Sequence, residues 1–320
     1  MPVDSHSKEP KLSVIVLGSA GGITEGNLTA YLLAPRGSRE YLCIDAGTVL
    51  SGLRAAHASG SFDGVELPKD SPLSMEGYVL KECIKAYLIS HVHMDHITGL
   101  TVSSADDSEK NLLALPHTVE YLREHVFNWK SWPNFCNEGT PPHLNKYHYV
   151  RLEAEQEYSL WELPVSVVPF IVSHSAPYES TAFLVKHDDS SLLFVGDTGP
   201  DPVEQRDRLK SIWSHVAPLL REGHLRALFL EVSYPNGRPD TMLFGHLTPD
   251  WMLYELEQLA HLVDPDHPTE ALRGFPVVVT SIKPSYEKES TREQIGRQLN
   301  DNNRLGVRFI LPEQGQTLYF

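Results

Sequence analysis

Apolar residues in this chain come in short continuous runs rather than long helical stripes. Leu12-Ser13-Val14-Ile15-Val16-Leu17-Gly18, Tyr41-Leu42-Cys43-Ile44-Asp45, Ile84-Lys85-Ala86-Tyr87-Leu88-Ile89, Val165–Val172, Ser180–Val185, Ser191–Val195, Ala227–Tyr234 and Pro276–Thr280 are rich in β-branched and apolar residues. Runs of this length, closed by Gly, Ser, Asp or His, predict strands buried on both faces. Further strands are expected near Leu28–Ala34 and over Val307–Leu311. Helix signals are interleaved with them. Asp201-Pro202 predicts the start of a helix reaching about Glu222, Thr248-Pro249 starts another, and Ser290-Thr291-Arg292-Glu293 is a capping box for a third ending near Asn300. Thr118 is placed to cap a helix through about Phe127, residues 49–84 read as loop and short helix, and Ser103–Lys110 reads as polar loop. With no repeat, low-complexity tract or linker, the pattern predicts one α/β domain over 12–320 behind a polar leader, 1–11.

Composition narrows the class. Of 320 residues, 41% are hydrophobic and 22% charged, enough for a sizeable core. A formal charge of -15 argues against a general nucleic-acid binder, which normally carries excess Lys and Arg. Cys43, Cys83 and Cys136 lie far apart in no C-x-x-C spacing, so neither disulfides nor a thiolate zinc site is expected. The start lacks the regions of a signal peptide, and no apolar run nears the roughly 20 residues that span a bilayer. A soluble cytoplasmic protein without a membrane partner is expected.

The chemistry concentrates after the run Ile84–Ile89. His91, His93, Asp95 and His96 fall within six residues, and burying them together would be costly without a cation. His91 and His93, two apart, can point the same way from an extended segment, while Asp95 and His96 can turn toward a second position about 3.5–4 Å away. Two more buried runs end in metal-binding residues: His174, and Asp197 within Gly196-Asp197-Thr198-Gly199. Asp45 reads equally as a carboxylate behind a metal-bound histidine or as a turn residue. Gly21-Gly22 reads as a plain turn. The aromatic loop Phe127–Phe135 can wall a pocket in which a base stacks on Trp129, Trp132 or Phe135, or can simply pack.

His91-Val92-His93-Met94-Asp95-His96, with His174, Gly196-Asp197-Thr198-Gly199 and Gly245-His246-Leu247, resembles the metallo-β-lactamase fold. His91–Ala105, together with Gly26–Leu32, Phe127-Asn128-Trp129 and Ser180–Leu184, resembles more narrowly the class II cyclic-nucleotide phosphodiesterases, over about residues 12–312. The resemblance implies an αββα sandwich of two mixed sheets flanked by helices. It implies His91, His93 and His174 on one divalent metal, Asp95 and His96 on a second, and Asp197 bridging. Zinc suits such sites, and manganese or iron also fit. The implied reaction is hydrolysis of cyclic AMP or cyclic GMP by a hydroxide held between the cations, with Asp95 in the catalytic centre and His246, oriented by Glu231, helping the leaving oxygen. Asn27, Trp129, Trp132 and Thr198 are candidate substrate contacts, and a homodimer is compatible with this reading. One departure stands out: where such phosphodiesterases read Thr-His-Ile-Lys, this chain has Thr280-Ser281-Ile282-Lys283. The second site is thus expected to bind loosely, to be completed by water, or to recruit His246. The alternatives are another hydrolase of this fold, acting on a lactone, thioester or other phosphodiester, and a cyclic-nucleotide binder with a defective second site.

Overall fold

In the computed structural model, which describes residues 9–320, the strands in chain order are β1 (Leu12–Gly18), β2 (Ala30–Pro35), β3 (Tyr41–Ile44), β4 (Ile84–Leu88), β5 (Lys110–Ala114), β6 (Tyr147–Arg151), β7 (Tyr158–Ser159), β8 (Ser166–Ser173), β9 (Glu179–His187), β10 (Ser190–Val195), β11 (Leu225–Glu231), β12 (Pro276–Thr280), β13 (Arg308–Ile310) and β14 (Thr317–Tyr319). They form two seven-stranded sheets, ordered β14-β1-β2-β3-β4-β5-β6 and β7-β8-β9-β10-β11-β12-β13. In each sheet, read in that order, three antiparallel pairings are followed by three parallel ones. The sequence carries no repeat, yet the topology does.

Alternation along each strand explains the continuous apolar runs. In β1, Val14 and Val16 join the layer between the sheets, with Tyr31, Leu42, Leu88, Phe183, Phe194 and Phe229. Ile15 and Leu17 point the other way, toward Leu53 and Ala56 of the helix Leu50–Ala58 and Ile97 and Leu100 of the helix Met94–Ser103. The second sheet's outer face packs Leu184, Leu193 and Leu228 under Trp213 and Met252, from the helices Arg208–Arg221 and Pro249–Val263. Helix, sheet, sheet and helix are thus stacked with three apolar layers between them, the expected αββα sandwich.

Several boundaries differ from expectation. The helix expected from Asp201 to about Glu222 breaks after Glu204, where Gln205 is left-handed (φ 54°). The Asp201 carboxylate instead accepts from Leu209 N (3.0 Å) and Lys210 N (2.8 Å), so it caps the following helix across the break. The helix expected from Thr118 begins at Pro116. Strand β5 was hidden by the polar Lys110-Asn111 at its start, yet Lys110 is buried because Asp107 pairs with it. The same Asp107 accepts from Tyr87 (2.8 Å) and Tyr147 (2.9 Å). Of the expected leader, 1–8 lie outside the described residues, while Lys11 N donates to Phe320 O at 2.7 Å.

One buried carboxyl gives the fold a testable pH dependence. Glu255 accepts from Trp213 Nε1 (3.0 Å) and Asp201 N (3.1 Å). Burial, outweighing the Trp213 hydrogen bond, pushes it from its ordinary 4.5 up to about 7. Between those values the native state holds a proton that the unfolded chain has lost, so this contribution to stability is full below 4.5 and declines as pH rises to about 7. Glu255→Gln is expected to remove about 3 kcal/mol of that decline, measured by denaturant unfolding across the window. A decline of undiminished size would exclude this carboxyl as its source.

Candidate metal centre

The strand ends that carry the candidate ligands meet at one edge of the sandwich. Asp45 follows β3, His91 and His93 follow β4, His174 follows β8, Asp197 follows β10, Glu231 closes β11 and Ser281 follows β12. His93 precedes the helix Met94–Ser103, whose first turn carries Asp95 and His96. Sequence reading placed this hexapeptide at a strand end and left the helix unassigned. Ring centroids lie 4.7 Å apart for His91 and His93, 4.1 Å for His91 and His96, and 4.8 Å for His93 and His174. Three sets bring one ligand atom per residue within 4.8 Å of one another: His91, His93 and His174; His91, His96 and Asp197; and His174, Asp197 and His246.

The rings of His91, His96 and His174 are each held by Nδ1, which leaves Nε2 for the centre. His174 Nδ1 donates to Gly245 O at 2.7 Å, and its Nε2 lies 3.1 Å from His93 Nδ1. Gly245 has φ +75°, and a Cβ there would lie 2.1 Å from Ser175 N, so the close approach requires glycine. His91 Nδ1 contacts the hydroxyls of Ser90 (3.0 Å) and Ser180 (3.3 Å). Asp45 resolves to the carboxylate behind the histidines: it takes His96 Nδ1 at 2.8 Å, with Ser90 N (2.8 Å) and Ser90 Oγ (2.7 Å).

Deprived of water, these groups shift in telling directions. Burial, then the neighbouring imidazoles, drives His91 well below 6.5; burial lowers His93 and pushes His174 down to about 3. All three are therefore neutral, the form whose lone pair binds a metal. Burial alone would raise Asp197, but His96 and Lys283 hold it well below the usual carboxylate range. His91 Nε2, His96 Nε2 and Asp197 Oδ1 are buried without a hydrogen-bond partner; the last two lie 3.3 Å apart but misaligned. Orphaned polar atoms at one point in a core are expensive, and a divalent cation satisfies them. The donor sets of His91, His93 and His174 and of His91, His96 and Asp197 fit such a group.

The remaining candidates divide. Glu231 is fully buried and accepts from His246 Nδ1 (2.7 Å), Thr198 N (3.1 Å) and Leu247 N (3.3 Å). Thr198 thus braces Glu231, while its hydroxyl donates to Ser173 O (3.2 Å). Asp95 belongs to none of the three ligand sets; its Oδ2 accepts from Gly22 N (3.0 Å) and Lys283 Nζ (3.3 Å). The Gly21-Gly22 turn therefore docks on the centre. Ser281 Oγ lies 3.1 Å from Thr29 Oγ1. Asn27 accepts from Ser19 N, Trp129 Nε1 donates to Pro142 O and Trp132 Nε1 to Ser104 Oγ, so these three bond away from the cluster. Lys283 is the residue that sequence reading passed over. Its place two positions beyond the missing histidine was the available signal.

A sandwich of this topology with histidines and aspartates gathered at one strand edge defines the metallo-β-lactamase fold. The metallo-β-lactamase fold protein YhfI of Bacillus subtilis, 13% identical, superposes with a TM-score of 0.62 over 97% of this chain and 99% of its own. Within that fold, the chain belongs to the class-II cAMP phosphodiesterases, whose family model matches residues 11–315. It is 41% identical over 308 residues to a 3′,5′-cyclic-nucleotide phosphodiesterase of Aliivibrio fischeri, covering 96% of this chain and 92% of that one. Unliganded yeast PDE1 has 25% identity and a TM-score of 0.85, over 97% of this chain and all of its own.

Because the orphaned atoms exist only in the native state, a bound cation should stabilise it. Chelation is expected to lower the unfolding temperature and added zinc to restore it, by about 4 kcal/mol at a thousandfold excess over Kd. His91→Ala should abolish the difference in a thermal scan. A persistent zinc-dependent rise in that variant would place the cation elsewhere.

Proposed function

We propose that this chain hydrolyses 3′,5′-cyclic nucleotides, cyclic AMP or cyclic GMP, to 5′-nucleotides, with 12–320 acting as one hydrolase unit. The observation that carries this reading is the gathering of His91, His93, His174, His96 and Asp197 in overlapping ligand sets, with His91 Nε2, His96 Nε2 and Asp197 Oδ1 buried and unpaired, in a chain of this family. Among the described residues no helix is long and apolar enough to cross a membrane.

His91, His93 and His174, with Asp197 beside them, would hold a divalent cation, zinc or else manganese or iron. When bound, it supplies Lewis-acid polarisation of the phosphate and hydroxide at near-neutral pH. The chain's own work is orientation and proton transfer. Hydrolysis adds an oxygen from water to phosphorus and breaks the bond to the 3′-oxygen, which must take up a proton. In this reading His246 gives it. Glu231 accepts from Nδ1 of that ring and is itself fixed by two backbone N–H groups, so the doubly protonated ring would give its Nε2 proton to the leaving oxygen.

The test is turnover of cyclic AMP, cyclic GMP, a bis-phenyl phosphate and a lactone. Cyclic nucleotides are expected to be cleaved to 5′-nucleotides, and His246→Ala to lower kcat about 100-fold with its metal content unchanged. Cleavage of the lactone alone would overturn the assignment.

A further inference from the structure

We propose that the Lys283 ammonium supplies the second positive charge of this centre in place of a second divalent cation, so that the chain holds one metal ion. The family resemblance implies two metals, and the residues present do not fit the second. Its expected histidine is Ser281, buried and left-handed (φ 54°), whose hydroxyl is 3.1 Å from Thr29 Oγ1 and whose carbonyl accepts from Ser233 Oγ at 3.2 Å. That side chain's polar atom is spent on a neutral partner. The two carboxylates expected to share the second cation instead share a lysine: Lys283 Nζ lies 3.3 Å from Asp95 Oδ2 and 3.5 Å from Asp197 Oδ2.

The ammonium is built in rather than draped over the rim. Its side chain is 16% exposed, and its backbone N donates to Ser233 O at 3.1 Å. The preceding residue, Ile282, bridges to Ala20 and accepts from Gly21 N at 3.0 Å. A Cβ on Gly21 would lie 2.9 Å from Nζ and 3.3 Å from Asp95 Oδ2, so glycine there lets the turn close over the pair. A divalent ion placed between the same two oxygens would meet a fixed positive charge and find a hydroxyl, Ser281, where the expected imidazole would be. Of the three N–H donors on the ammonium, Asp95 and Asp197 engage two. The third is left for a non-bridging phosphate oxygen, where a second cation would otherwise neutralise charge in the transition state.

The inference rests on the metal reading of the histidine cluster, and not on the identity of the substrate. Its test is a count: the full chain is loaded with zinc, dialysed against metal-free buffer, and its retained zinc measured by mass spectrometry. One equivalent is expected for the unaltered chain, for Lys283→Arg and for Lys283→Met, and two for the double variant carrying Ser281→His with Lys283→Met. Lys283→Met should also lose about 100-fold in kcat/KM for cyclic AMP while keeping its single zinc. Circular dichroism establishes that each variant is folded, and the count on the unaltered chain needs no variant. Two tightly held equivalents in that chain would overturn the proposal, and none would overturn it together with the metal reading. One equivalent without turnover of any cyclic nucleotide would uphold it and sink the substrate assignment alone.

Discussion

Unpaired polar atoms buried at the junction of two sheets are the constraint on which this structure turns. A core can hide imidazoles and carboxylates cheaply only when each lone pair and proton has a partner. Here one side of each group is satisfied by the fold: Asp45 for His96, Ser90 and Ser180 for His91, and the Gly245 carbonyl for His174. The other sides of His91, His96 and Asp197 are left open toward a common point. The protein thereby keeps a well-oriented, water-poor cluster at a cost in stability, which binding a cation offsets.

What could be read without coordinates follows from how locally each feature is encoded. The H-x-H-x-D-H run, His174 and Asp197 are legible because each directly follows an apolar strand and because side chains of this chemistry seldom cluster without purpose. An α/β domain was legible from short apolar runs whose both faces are buried, and its stacking as a sandwich only from the resemblance carried by the histidine motif. Two kinds of feature were not. Strand β5 depends on Asp107, which makes a buried Lys110 tolerable through partners distant in sequence. The break at Gln205 depends on a carboxylate reaching past one helix to cap the next. Lys283 is of the same kind: its place near Ser281 marks it, but the charge it meets comes from Asp95, 188 positions earlier.

The repeated order of pairings gives the site its location. In each sheet the third antiparallel step leads into parallel strands, and at that switch the first parallel pair delivers functional groups from neighbouring ends: Asp45 and His91 after β3 and β4, Asp197 and Glu231 at the ends of β10 and β11. Ligands in open α/β sheets gather where strand order changes. In this molecule two such places face each other across the inter-sheet layer, so neither sheet could assemble the cluster alone.

That arrangement has a consequence for the lifetime of the folded molecule. His91 and His93 belong to one sheet, His174 and Asp197 to the other, so an ion held by both sets is a cross-link between two layers that otherwise adhere through apolar contact. Pulling the sheets apart must break coordination as well as the aromatic packing of Tyr31, Phe194 and Phe229 beneath it. The site completes itself only after both sheets have docked, which makes it a low-φ feature of folding, and such late interactions slow unfolding without hastening folding. The same ion that would serve the chemistry would therefore act as a kinetic lock on the sandwich.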